Sequence, residues 1–459
     1  MVQLMPPHFE PTFESLNEHE VPEWFHDAKF GIFIHWTMSC IPAFVPESGA
    51  LPDLVRDHPD DMMKYTPYAE WYWNTIKFPD SAAAQYHREK YGDAPYEDFR
   101  KPYEAGLDAW DPKPLVDVIQ ASGARYVVLV TKHHDGFVLW PTGVPNPHLP
   151  GWNSRRDIVG DLARAVRDRG MRFGVYYSGG LDWTFNRDPI VNFAEMMASV
   201  PRTPEYRAYA DGHFRELFAR YEPSVLWNDI AYPPGPELSK LLADYYNAIP
   251  DGVVNDRWAQ PESPHFPRPE HFDFRTPEYA QYDQIRERKW ESTRGIGHSF
   301  GYAANEDPAT IITPEALVHS FVDAVSKNGN LLLNIGPKPD GTVVPEHEVP
   351  LRAIGAWLAR YGEAVHGTRP WLRAEGRATD AAGTELGVRF TRKGDRVFAI
   401  VLGTPVEGPL RLTGLQDQTV SAASLVGGPP LSFARVGDAL VAEIPPLAKS
   451  EAHAFELRP

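Results

Sequence analysis

Six β-type runs in the 459-residue chain end on groups that can bond a ligand or move a proton. They close on His35-Trp36, Lys132-His133-His134-Asp135, Tyr176-Tyr177, Trp227-Asn228-Asp229, Asn255-Asp256-Arg257-Trp258 and, in a less regular segment, Trp290-Glu291. If the strands are parallel and form a barrel, their ends share one rim, and the loops leaving that rim carry the chemistry. Two chemistries use such a set. A metal-dependent hydrolase would take His35, His133, His134 and Asp229 as ligands and activate a water. A glycosidase would set two carboxylates about a glycosidic bond, with imidazoles and aromatic rings holding the sugar. Neighbouring residues on a strand point to opposite faces, so His133 and His134 can share a metal only where the strand has broken into a loop. No His-x-His or His-Glu-x-x-His pairing accompanies them. The two-carboxylate chemistry therefore leads.

The elements that must position these groups are legible up to about Tyr361. Strands are predicted at Phe30–His35, Tyr126–Thr131, Arg172–Ser178, Ser224–Asn228, Val253–Asp256 and Leu331–Ile335. All are nearly continuous apolar runs, as expected of parallel strands buried on both faces. Helical patterns separate them. Asp157–Arg169 runs to a C-capping Gly170, and Thr313-Pro314-Glu315 opens a stripe through Leu317, Phe321, Val322 and Val325. Pro204–Tyr221 and Pro236–Ala248 are weaker versions. This alternation predicts an α/β fold, an irregular (β/α)8-like TIM barrel, over residues 1–365. Beyond His366 the period becomes two, at Leu386, Val388 and Phe390 and again at Leu440, Ala442 and Ile444. Residues 366–459 are accordingly expected to form a C-terminal antiparallel β-sandwich that packs against the barrel.

Composition narrows the partner. The formal charge is −17, whereas nucleic acid and anionic membranes both call for a basic footprint. The longest apolar run, Val397–Leu402, is six residues, and the first twenty residues hold four Glu, no Lys or Arg and no apolar stretch. The expectation is a cytoplasmic enzyme without a membrane partner. The single cysteine, Cys40, excludes an internal disulfide and a thiolate cluster. Thirteen Trp, 20 Tyr and 23 Phe supply the flat apolar faces that sugar rings stack against.

Several blocks together carry a family resemblance. Trp24-Phe-His-Asp-Ala-Lys-Phe-Gly-Ile-Phe-Ile-His35-Trp36, Tyr126-Val-Val-Leu-Val-Thr-Lys-His133-His134-Asp-Gly-Phe137 and Arg172-Phe-Gly-Val-Tyr-Tyr-Ser178 resemble segments of the α-L-fucosidases of glycoside hydrolase family 29. So do Val225-Leu-Trp-Asn-Asp229, Asn255-Asp-Arg-Trp258 and Ser326-Lys-Asn-Gly-Asn-Leu-Leu-Leu-Asn-Ile-Gly-Pro337. The likeness spans roughly Trp24 to Trp371. It implies retaining hydrolysis of terminal α-L-fucosyl groups through a covalent fucosyl-enzyme on Asp229. His35, Glu70, His133 and His134 would bond the fucose hydroxyls, Trp71 would stack on the ring, and Tyr176 and Arg257 would line the pocket. Neutral imidazoles and amphipathic aromatics suit an uncharged sugar.

Pro261–Glu291 offers Glu262, Glu270, Glu278, Glu287 and Glu291 as acid/base. Glu291 is the choice, because Lys289-Trp-Glu-Ser-Thr-Arg-Gly-Ile-Gly297 resembles the bacterial branch and Trp290 beside it could desolvate the carboxyl. Two departures from the more widespread form, Asn228 before the nucleophile and Ser299-Phe-Gly-Tyr-Ala303, bear on the leaving-group side. No cofactor or metal is expected, and a homo-oligomer is compatible with the sequence. A fucose-binding, lectin-like pseudoenzyme, a metal-dependent hydrolase and a related specificity such as α-L-galactoside are the competing readings.

Overall fold

A computed structural model describes residues 8–46 and 49–459 of the chain. Its first sheet holds β1 (Phe30–Ile34), β2 (Tyr126–Lys132), β3 (Arg172–Tyr177), β4 (Val225–Asn228), β5 (Val253–Val254), β6 (Trp290–Gly295) and β7 (Gly329–Ile335). All pairs are parallel, in the order β5-β4-β3-β2-β1-β7-β6. Every residue of β1, β2, β4, β5 and β7 is buried, because helices cover the outer face and side chains fill the inner one.

The six expected strands are present. The seventh, β6, is the stretch that the sequence shows only as an irregular segment. β5 and β6 are the sheet's two edges. Isolated bridges Asn255–Phe274, Arg275–Trp290 and Glu278–Thr293 lay the stretch Phe274–Tyr279 between them, in the place of an eighth strand. The curled sheet is thereby closed without a regular ladder, which is the irregularity of this barrel. Phe33, Val128, Val130, Tyr176, Trp227, Phe274 and Leu332 pack inside it.

Local chemistry sets the helices. Asp157, Thr203 and Thr313 each accept a backbone N–H of the first turn, of Gly160, Tyr206 and Ala316 respectively, and so open helices Ile158–Arg167, Pro204–Tyr221 and Pro314–Ser326. Parallel register then puts Ile34 level with Leu129 and Ile335, so His35 emerges just above the rim.

The second sheet has eight antiparallel strands: β8 (Arg369–Thr379), β9 (Glu385–Lys393), β10 (Arg396–Leu402), β11 (Gly408–Leu412), β12 (Ala422–Leu425), β13 (Phe433–Val436), β14 (Ala439–Ile444) and β15 (Ala452–Arg458). Their order is β12-β15-β10-β9-β8-β11-β14-β13. β8 shifts register between Pro370 and Glu375, an irregularity that bends the strand. The sheet docks on two barrel helices: His319 Nε2 of Pro314–Ser326 lies 2.7 Å from Glu451 O, and Pro345–Tyr361 supplies two further contacts. Trp357 Nε1 donates to Ala452 O at 3.0 Å, and Tyr361 Oη lies 2.8 Å from His453 Nδ1. Among the described residues, no helix is long and apolar enough to cross a membrane.

Helices Pro112–Ala121 and Pro345–Tyr361 approach closely at Gly355, where a Cβ would lie 1.8 Å from the carbonyl oxygen of Ala121. Backbone cannot swing aside as a flexible side chain can. Gly355→Ala should therefore cost about 1–3 kcal/mol, read as a lower apparent melting temperature at fixed scan rate; an unchanged transition would contradict the packing.

Candidate active site

The strand ends converge on a cavity of about 310 Å³, room for one monosaccharide, lined by His35, Glu70, Trp71, His133, His134, Tyr176, Asp229 and Arg257 among others. These are all of the expected site residues except Glu291. Tyr68, Trp227, Phe300 and Glu278 complete its inner wall, and Leu51, Met63, Phe193 and Met196 give it an apolar border.

Asp229 follows the last residue of β4, and three donors fix its carboxylate. Tyr176 Oη donates to Oδ2 at 2.7 Å, while Arg257 Nη1 and the Ile230 amide each donate to Oδ1 at 2.8 Å. Ile230 adopts φ +67°, a conformation that a β-branched residue avoids, in the turn directly after Asp229. Asn228 is buried beneath. It accepts from Gly179 N and donates to the carbonyls of Ala231 and Arg257, tying three rim turns together. It does not line the cavity, so it acts on the loops and not on a leaving group.

Arg257, just beyond β5, is held by stacking and by hydrogen bonds. Its guanidinium carbon lies 4.7 Å from the Trp227 ring centre, and Nε donates to Thr276 Oγ1 at 3.2 Å. Nη2 reaches Glu278 Oε2 at 3.1 Å, so one guanidinium bridges two cavity carboxylates. Tyr68 Oη donates to the other Glu278 oxygen at 2.6 Å.

The structure places the expected acid/base, Glu291, away from the cavity. β6 begins at Trp290, so Glu291 is its second residue and sits near the barrel floor, some four residues or ~13 Å of strand below the rim. It is fully buried, accepts a hydrogen bond from Tyr126 Oη, and does not line the cavity. Burial pushes its carboxyl up to about 7, but a raised proton affinity on the floor cannot serve a bond above the rim. Glu278, which lines the cavity, lies in a Pro-rich, charged run where a solvated loop is the ordinary reading. The overlooked signal was the alternation Phe274, Thr276, Glu278, which places all three on the inner face.

The opposite wall presents lone pairs. His35 Nδ1 lies 2.5 Å from Asn334 Oδ1, His134 Nδ1 lies 2.6 Å from Ser178 Oγ, and Glu70 Oε2 accepts the Gly301 amide at 2.7 Å. Burial depresses the His35 imidazole to about 4 and holds His133 and His134 well below the usual histidine range. Gly136 makes the turn after His134 possible. It has φ +75°, and a Cβ there would meet the Asp182 carboxylate at 2.6 Å. His35, Glu70 and His133 could surround a cation, with ligand atoms within 4.8 Å of one another. That trio differs from the set expected for a metal hydrolase, since Asp229 is committed to Arg257 and Tyr176.

Burial also raises the Glu70 carboxyl to about 8. Between the ordinary carboxylate range and pH 8 the unfolded chain has released this proton and the folded chain has not. Stability from this group is thus present at low pH and lost as pH rises towards 8. Glu70→Gln should therefore gain in melting temperature relative to the parent between pH 5 and 8, with a constant difference above. A difference independent of pH would contradict the shift.

With this geometry in view, comparison with known proteins identifies the family. Residues 2–363 match the family model described as Alpha-L-fucosidase. The tissue alpha-L-fucosidase of Bos taurus is 31% identical over 440 residues, covering 92% of this chain and 83% of that protein. The plasma alpha-L-fucosidase of Homo sapiens is 33% identical over 424 residues, covering 88% of this chain and 81% of that protein. Among solved structures, the Thermotoga maritima alpha-fucosidase in complex with a mechanism-based inhibitor is 41% identical, with TM-score 0.87 over 98% of this chain and 100% of that one. A barrel rim that gathers two carboxylates and a sugar-sized pocket, matched along most of its length, places this chain in the α-L-fucosidase family of glycoside hydrolases.

Proposed function

We propose that the cavity hydrolyses terminal α-L-fucosides with retention, using Asp229 as nucleophile and Glu278 as general acid/base. The observation that carries the assignment is the Arg257 bridge. It brings two cavity carboxylates onto the two terminal nitrogens of one guanidinium, and a retaining mechanism needs such a closely spaced pair. The two differ in access. The Asp229 side chain is 11% exposed and that of Glu278 is 25% exposed. The inner group faces the ring and the outer one the mouth, where the leaving oxygen departs and water enters.

In the first step Asp229, its carboxylate oriented by Tyr176 and Arg257, bonds the anomeric carbon while Glu278 protonates the departing oxygen. In the second, Glu278 takes a proton from water, which displaces Asp229 and releases α-L-fucose. His35, Glu70, His133 and His134 bond the sugar hydroxyls in both steps, and Trp71 packs on the ring. The substrate is a fucosylated oligosaccharide or glycoside.

Replacing Asp229 with Gly should leave the fold intact and lower turnover by at least ~10³-fold. Azide should restore part of it as a fucosyl azide of inverted configuration. Near-parental turnover in the folded variant would remove Asp229 from this role. Glu278→Ala should slow fucosylated sugars by ~10²–10⁴-fold while sparing the first step with activated aryl fucosides. The fucosyl-enzyme then accumulates and a phenol burst appears. Glu291→Gln should show neither sign; if it shows both and Glu278→Ala shows neither, the acid/base lies at Glu291.

A further inference from the structure

Two of the three histidines that line the cavity, His35 and His134, each have a protein partner whose own proton is already committed. Asn334 Nδ2 donates to the carbonyl of Phe300 at 2.6 Å, an atom that can only accept. The orientation of the amide is thereby fixed, and its Oδ1 is the atom 2.5 Å from His35 Nδ1. An amide oxygen cannot donate, so Nδ1 carries the proton.

The same logic runs through Ser178. Its hydroxyl donates to Leu181 O at 2.9 Å, leaving the oxygen lone pairs for His134 Nδ1 at 2.6 Å. Turning the hydroxyl proton towards His134 would set two oxygens 2.9 Å apart with nothing between them. A buried clamp keeps Leu181 O in place. Lys132 Nζ donates to Leu181 O at 3.1 Å and to Ser178 O at 2.8 Å, and pairs with Asp182 at 3.1 Å, with both side chains wholly buried. Among the described residues, neither Nε2 has a protein partner, and both rings line the cavity.

The geometry points to Asn334 and Ser178 as positioning residues that hold His35 and His134 as Nδ1–H tautomers, so that each Nε2 accepts a hydrogen bond from a hydroxyl of the bound sugar. This inference rests on the sugar-binding reading above. It also gives the wall a polarity, because both rings select ligands that offer O–H donors. The Lys132–Asp182 clamp belongs to the same device, since without it the Leu181 carbonyl would be free to leave Ser178. His133 is different. Its Nδ1 is buried with no partner, so nothing in the protein fixes its tautomer.

Nitrogen-15 NMR of the histidine-labelled full chain reads the tautomers directly. His35 and His134, assigned by signals lost on substitution, should show protonated Nδ1 and bare Nε2 near neutral pH; protonated Nε2 on either would overturn the inference for that ring. Kinetics then test the role. Ser178→Ala should raise KM on an aryl α-L-fucoside by about 3- to 10-fold with little change in kcat, and Ser178→Thr, which keeps the hydroxyl, should restore it. Across 2-, 3- and 4-deoxy aryl fucosides the Ser178→Ala penalty should vanish for the one sugar that lacks the hydroxyl facing His134. An equal penalty on all three would mean that Ser178 is only structural and would overturn its positioning role. If the parent protein hydrolyses no aryl α-L-fucoside, the functional reading fails, and the NMR result still decides the tautomers.

Discussion

Arg257 reaches Asp229 at 2.8 Å and Glu278 at 3.1 Å from a guanidinium laid on Trp227 and bonded to Thr276. Two carboxylates this close, out of bulk water, would otherwise repel, and a charge-assisted bridge is the arrangement that keeps both in place. The rest of the rim follows from it. Asp229 comes from the end of β4, Arg257 from just beyond β5, and Glu278 from the irregular stretch that stands in for an eighth strand. Asp256 holds that stretch through Thr276, accepting its amide at 3.0 Å and its hydroxyl at 2.7 Å. Three neighbouring barrel elements must therefore be in register for the pair to exist.

Water exclusion is the second constraint, and it acts oppositely on the two walls. On the Arg257 side, a fixed cation compensates for burial. On the histidine side burial outweighs the partners present, so the imidazoles are held low and the Glu70 carboxyl is pushed up to about 8. In the proposed reaction one wall supplies charge where a bond to the anomeric carbon forms, and the other supplies neutral, directional hydrogen bonds where an uncharged sugar must be told from water. The C-terminal sheet takes no part in either wall. It docks through Trp357 and Tyr361 of helix Pro345–Tyr361, outside the strands of the barrel.

Much of this was legible in the residues because parallel strands buried on both faces leave long apolar runs, and their polar ends then stand out. His35, His133, His134, Tyr176, Asp229 and Arg257 all follow that rule. Glu70 and Trp71 lie on a short helical turn with no strand before it, and only their likeness to a family brought them into view. Glu291 lies outside the cavity for a definite reason. Trp290-Glu291 reads equally well as the end of a strand or as its beginning, and the chain uses it as the beginning. Glu278 was obscured for the converse reason, since Phe274–Tyr279 touches its neighbours through single bridges and carries no apolar run. An inner-facing alternation within a proline-rich stretch is too short to separate from a solvated loop before the neighbouring strands are in place.

The central claim is that Arg257 orients Asp229 to bond the anomeric carbon while Glu278 stands at the mouth. Trapping the full-length enzyme with a 2-fluoro-fucosyl reagent and mapping the modified peptide by mass spectrometry tests it most directly. The account predicts a single 2-fluoro-fucosyl ester on Asp229, slowly released as Glu278 delivers water. An ester on Glu278, Glu70 or Glu291, or turnover with no trapped species, would contradict it.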